Sequence, residues 1–151
     1  MPERSAPLRR LAVFAAFLAL AAAASPLAAL PASGYSVVAG ASLPGSEILK
    51  LTTAGKHQEA YAKALARIGE VKDDIDAYVS LSWSLVALRR YGEAEVYALR
   101  GYELRKDPRL AQAIGEASYY LGKNDIALSM LQEYIATYPE GPRAGLSFFL
   151  C

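Results

Sequence analysis

The feature that most constrains this chain is a turn-like segment that occurs three times at nearly constant spacing. The copies run from Gly55 to Ala60, from Arg89 to Ala94 and from Gly122 to Ala127. Their alanines are separated by 34 and then 33 residues. A period of this length is typical of proteins in which one supersecondary unit is stacked on the next. The spacing therefore predicts a repeat architecture of about three units.

Apolar residues recur at helical spacing on both sides of these turns. Before the second turn they are Tyr78, Leu81, Leu85 and Leu88, and after it they are Ala94, Tyr97, Ala98, Gly101 and Leu104. Asp107-Pro108 predicts a helix start, because aspartate caps helix N-termini and proline fits the first helical position. Gly122 suits a helix C-terminus. The predicted repeating unit is a helix, a turn and a second helix.

Residues 44–141 resemble the tetratricopeptide repeat family at the positions where its helices pack. The third unit supplies Ile114-Gly115, Ala127, Leu131 and Pro139, and the second supplies Tyr78, Leu81-Ser82, Leu85 and Ala94. The second unit departs from the pattern at Ala98, where a large residue is usual. The first unit has Ile48 where a small residue is usual.

This resemblance implies an all-α fold. It would be a right-handed superhelical array of about three antiparallel helix hairpins, with a partial helix at the C-terminal end. The alternative is an ordinary helical bundle in which the spacing is accidental.

An array of this kind lines a concave surface with residues of its first helices that lie off the packing stripe. These residues are Val79, Trp83, Val86, Arg109, Gln112, Glu116, Tyr119 and Tyr120. Aromatic side chains dominate binding hot spots, so the set is a candidate site for a protein or peptide partner. In the alternative interpretation, Trp83 and Tyr120 fill the core between neighbouring helices.

Residues 1–32 have the composition of an export signal. Arg9-Arg10 precede an uncharged apolar stretch from Leu11 to Ala24, and small residues follow it, as at a cleavage site. The stretch is shorter than the ~20 residues that span a bilayer. We therefore predict a signal peptide at 1–32, a flexible spacer at 33–43 and a folded domain at 44–151. The alternative is an uncleaved signal anchor, with residues 11–24 as a membrane tether.

Charge and residue types argue against other classes of function. The chain has 16 Lys and Arg against 15 Asp and Glu, whereas a nucleic-acid-binding domain needs a dense basic face. His57 is the only histidine and Cys151 the only cysteine, and motifs for metal, phosphate or nucleophilic chemistry are absent from the sequence. We therefore expect no enzyme activity, no cofactor, no metal and no nucleic-acid partner.

The sequence hypothesis is a non-catalytic scaffold in the periplasm or on the outer face of the cytoplasmic membrane, bound to a partner through its concave face. One alternative is a membrane-tethered component of an envelope assembly. Another is the N-terminal fragment of a longer array, because an apolar helix begins after Gly141-Pro142. An enzyme is the least favoured. Self-association through that last helix is also expected, from Leu146, Phe148, Phe149 and Leu150.

Overall fold

The computed structural model describes residues 42–151, and these residues form seven α-helices with no strand among them. The helices are α1 Gly45–Thr53, α2 His57–Glu70, α3 Ile75–Ala87, α4 Tyr91–Leu104, α5 Pro108–Tyr120, α6 Asn124–Thr137 and α7 Ala144–Leu150. The predicted all-α class is therefore confirmed for this part of the chain. The predicted signal or anchor at 1–32 and the spacer up to residue 41 lie outside the described residues. None of the seven helices is long and apolar enough to cross a bilayer.

The turns within the three helix pairs share one backbone conformation. Gly55, Arg89 and Gly122 have φ of 78°, 60° and 75°, and they are 34 and 33 residues apart. At each turn the backbone N–H of the residue after the left-handed one donates to the carbonyl oxygen five residues earlier. The N–O distance is 2.9 Å in all three copies. This pattern ends a helix when the residue after the C-cap is left-handed, a conformation that glycine adopts without steric cost. The sequence period is therefore present in the backbone, and Arg89 adopts the left-handed conformation despite its Cβ.

The helices contact one another in series. Each helix packs against its neighbour in the chain, and in addition α1 contacts α3, α3 contacts α5 and α5 contacts α7. Within residues 42–151, the second helices α2, α4 and α6 make no comparable contact with one another. The first helices of the hairpins therefore form one continuous layer, α1–α3–α5–α7.

Small residues allow the paired helices to approach closely. Gly115 in α5 is the clearest case, because a Cβ there would lie 2.7 Å from Cγ of Leu131 and 3.1 Å from the carbonyl oxygen of Ala127. Both of these neighbours belong to α6. The α5–α6 hairpin therefore has no room for a side chain at this crossing.

Asp74 connects the first hairpin to the second. Its carboxylate accepts hydrogen bonds from Nε of Arg67 at 2.7 Å, from N–H of Gly45 at 3.1 Å and from N–H of Ala77 at 3.2 Å. Burial alone would raise the pKa of this carboxyl, but the three donors outweigh burial and hold the pKa below its ordinary value of 3.8. One side chain therefore caps α3 and holds the start of α1.

Gly115→Ala should lower the free energy of unfolding by about 1–3 kcal/mol, because the added methyl group overpacks the α5–α6 crossing. Gly69→Ala in α2 is the matched control, since nothing lies within 4 Å of a Cβ placed there. In that open position the same change should stabilise the helix by roughly 0.5–1 kcal/mol. Urea unfolding followed by far-UV circular dichroism measures both variants. Equal destabilisation at the two positions would contradict the assigned contact.

Asp74→Asn should lower the free energy of unfolding by about 1.5–3 kcal/mol near neutral pH, since hydrogen bonds to a charged acceptor are lost. The pKa of Asp74 is lowered on folding, so its stabilisation is complete above 3.8 and is lost as the pH falls through the lower folded pKa. The difference from wild type should therefore shrink in acid. Glu47→Gln, which breaks an exposed pair with Lys50, is the control and should change stability by less than about 1 kcal/mol. An Asp74→Asn difference that does not vary with pH would count against this account.

Candidate functional site

Two adjoining cavities lie along the layer of first helices. The first has a volume of about 420 Å³ and is lined by Thr52, Thr53, Gly55, His57, Trp83, Glu116, Pro142, Arg143 and Leu146. The second has a volume of about 430 Å³ and is lined by Val86, Ala87, Arg89, Tyr91, Glu116 and Tyr120. Because Glu116 lines both, we treat the two cavities as neighbouring parts of one groove.

Trp83, Glu116 and Arg143 meet in the first cavity. Trp83 and Glu116 hold the guanidinium of Arg143, and we call these two residues the Trp83 cluster. Cζ of Arg143 lies 5.0 Å from the centre of the Trp83 ring, and Nη1 of Arg143 donates to Oε2 of Glu116. A guanidinium at this distance is attracted by the π electrons of the indole. Trp83 is only 3% exposed and Glu116 only 5%. The ion pair and the ring are therefore largely shielded from water.

Gln112 and His57 extend the polar surroundings of the cluster. Nε2 of Gln112 donates to Oε2 of Glu116 at 2.7 Å, and this hydrogen bond orients the carboxylate. Three buried atoms have no hydrogen-bond partner among the described residues, namely Nε1 of Trp83, Oε1 of Gln112 and Nδ1 of His57. A buried polar atom without a partner costs roughly 1–3 kcal/mol. The surroundings of the first cavity therefore retain hydrogen-bonding capacity that the fold does not use.

The second cavity has an aromatic wall. Tyr91 and Tyr120 are stacked, with ring centres 4.4 Å apart and planes inclined by 16°. Tyr119 meets Tyr120 edge to face at 5.5 Å. Tyr120 is 48% exposed, so this wall can be reached from solvent. The groove thus combines a buried charged cluster with an accessible aromatic surface.

Four of the eight residues predicted for the concave face line the groove. They are Trp83, Val86, Glu116 and Tyr120. Trp83 also packs against the apolar core, so it is both a core residue and a cavity wall. Tyr120 is half exposed and lies beside Tyr91, outside the core.

The other four predicted residues line neither cavity. Val79 and Gln112 are fully buried, and Val79 lies in the same apolar cluster as Leu110. Nη2 of Arg109 is 2.9 Å from Asp76 and 2.8 Å from Asp107, so its guanidinium is held at the start of α5. Tyr119 is exposed and reaches the groove only through its contact with Tyr120.

Several groove residues were missed in the sequence analysis, above all Thr52, Thr53, His57, Tyr91, Arg143 and Leu146. The 34-residue spacing could have indicated Thr52 and Thr53, because they occupy the positions of Val86 and Ala87 one unit earlier. Tyr91 and His57 follow the turns that the period identifies. Arg143 had no such signal, since its contact depends on the path of the chain after α6.

Within residues 42–151, no group of three histidine, cysteine, aspartate or glutamate side chains is placed to hold a metal ion. The chain matches no protein-family model and no curated protein. Function is therefore inferred from the groove itself.

Trp83 is the only tryptophan, so tryptophan fluorescence reports on the surroundings of this one side chain. We expect emission at shorter wavelength in the native protein than in the unfolded chain, because the indole is removed from water. Quenching by acrylamide should be several-fold weaker in the native state, since the quencher must touch the ring. Quenching as strong as that of free N-acetyltryptophanamide would be inconsistent with the burial of Trp83.

Proposed function

We propose that this domain is an array of tetratricopeptide repeats that binds a protein partner in the groove and carries out no catalysis. The observation that carries the proposal is that Trp83 and Glu116 line one cavity and that Glu116 and Tyr120 line the next. Aromatic side chains in pockets that exclude water supply much of the binding energy at interfaces. The groove therefore has the composition of a recognition surface.

The backbone supports the repeat assignment. Left-handed turn residues recur at the 34- and 33-residue spacing, and the first helices contact one another in series. In a repeat array each unit contacts only its neighbours, and one row of helices forms the inner face. These features favour a right-handed superhelical array over an ordinary bundle.

The shape of the groove favours an extended segment or a helix of the partner. A segment that runs along the first helices would meet the Trp83 cluster in one cavity and the Tyr91–Tyr120 stack in the next. Each cavity, at about 420 and 430 Å³, is large enough for one or two side chains but not for a folded domain. A short linear segment is therefore the partner that fits.

The proposed setting is outside the cytoplasm. An export signal at 1–32 would deliver the domain to the periplasm, and an uncleaved anchor through 11–24 would hold it at the outer face of the cytoplasmic membrane as part of an envelope assembly. The mass of the mature N-terminus separates the two possibilities. In either setting the apolar face of α7 is a candidate for self-association, since Phe148 and Phe149 are 56% and 82% exposed.

Photo-crosslinking tests whether the groove binds a partner. Benzoylphenylalanine in place of Tyr120 samples the groove, and the same residue in place of Val96 samples α4, where exposure is similar at 46%. In intact cells we expect a discrete crosslinked species from position 120 and not from position 96. Excess purified domain added to permeabilised cells should suppress it. Crosslinking from position 96 alone would contradict binding in the groove.

A further inference from the structure

The Trp83 cluster is filled by a side chain from outside the layer that forms the groove. Trp83 and Glu116 belong to α3 and α5, whereas Arg143 lies in the linker that precedes α7. The backbone N–H of Arg143 donates to the hydroxyl of Tyr134 at 3.3 Å, which holds the linker beside α6. The arginine side chain then crosses to the groove.

The walls of the cluster are matched to a guanidinium group. The indole of Trp83 offers a flat face, and Glu116 offers a carboxylate that Gln112 orients. A planar guanidinium can stack on an aromatic ring and donate to a carboxylate at the same time, whereas an ammonium is a compact and strongly hydrated charge. Oε1 of Gln112 adds a buried acceptor without a partner among the described residues. These features favour a guanidinium over an ammonium group.

Burial of Glu116 restricts what can replace Arg143. A carboxylate that is 5% exposed is strongly destabilised when its cation is removed. A segment that enters the groove and moves Arg143 aside must therefore bring a positive charge to Glu116. An apolar segment would leave the carboxylate unpaired, and an acidic segment would be repelled by it.

We propose that the Trp83 cluster is an arginine-recognition site, which Arg143 fills in the free protein and which an arginine of the partner segment takes on binding. This inference rests on the proposed function of the groove. Release of Arg143 needs only a local rearrangement, because α7 has seven residues and, among the described helices, contacts α5 and α6 alone. The cavity beside the cluster, walled by Thr52, Thr53 and His57, gives the incoming chain a place to lie.

The test uses the full chain with Arg143→Ala, which empties the site, and ethylguanidinium chloride as the probe. Trp83 fluorescence should change saturably, with a dissociation constant on the order of millimolar for so small a ligand. Ethylammonium chloride at equal ionic strength is the matched control and should bind at least about threefold more weakly. The wild-type protein should respond much less, because Arg143 competes. Arg143→Gln serves as a second variant if Arg143→Ala does not fold, as judged by circular dichroism.

Glu116→Gln in the Arg143→Ala background should abolish the response. A peptide arm extends the test to the wild type, where acetyl-Gly-Arg-Gly-amide should shift Trp83 emission more than the same peptide with citrulline. No saturable response in either Arg143 variant, equal response to both cations, or a response unchanged by Glu116→Gln would each overturn arginine recognition.

Failure of this inference can be distinguished from failure of the proposed function. A partner crosslinked from position 120 without guanidinium binding would overturn arginine recognition alone. Guanidinium binding without any crosslink from position 120 would support the chemistry of the site and count against a protein partner.

Discussion

Each hairpin of the domain depends on a turn in which one residue adopts the left-handed conformation. That residue follows the first helix and reverses the direction of the chain, so that the second helix packs against the first. Gly55 and Gly122 meet this requirement without a side chain, and Arg89 meets it at a steric cost. The serial contact of α1, α3, α5 and α7 follows from the repetition of the turn. The groove exists because these helices lie side by side.

A part-buried carboxylate, Asp74, and a buried one, Glu116, join segments that are distant in sequence, and each is paired with an arginine from another element. Asp74 receives Arg67 from α2, and Glu116 receives Arg143 from the linker before α7. A shielded ion pair adds little net stability, because desolvation offsets much of the attraction, but an unpaired partner is strongly unfavourable. Such pairs therefore fix the position of a segment more than they hold the fold together. The pair at Asp74 is tied in by backbone donors as well, whereas Glu116 is held by side chains alone.

The sequence period and its punctuation were sufficient to predict the helices, because turns and caps are local features. Asp107, for example, caps α5 with Pro108 in the first turn, as expected. The site was predictable only in part. Helical phase gives the direction in which a side chain points from its own helix, and this was enough to predict Trp83 and Glu116 as groove residues. Helical phase does not give the burial of that side chain by neighbouring helices. Val79 is buried for this reason, and Arg109 is drawn to two aspartates. Arg143 could not be predicted, since its place depends on tertiary packing.

The short helix α7 has a consequence for the energetics of the groove. Within residues 42–151, α7 contacts the helices α5 and α6 alone, and the arginine at its start covers the face of Trp83. Fluctuations that detach the start of α7 therefore uncover the indole as well. Order in α7 and occupancy of the groove by another arginine are then linked equilibria that oppose each other. A factor that stabilises the docked state of α7 therefore lowers the affinity of the groove for the competing arginine. Binding of that arginine destabilises the docked state of α7 by the same factor.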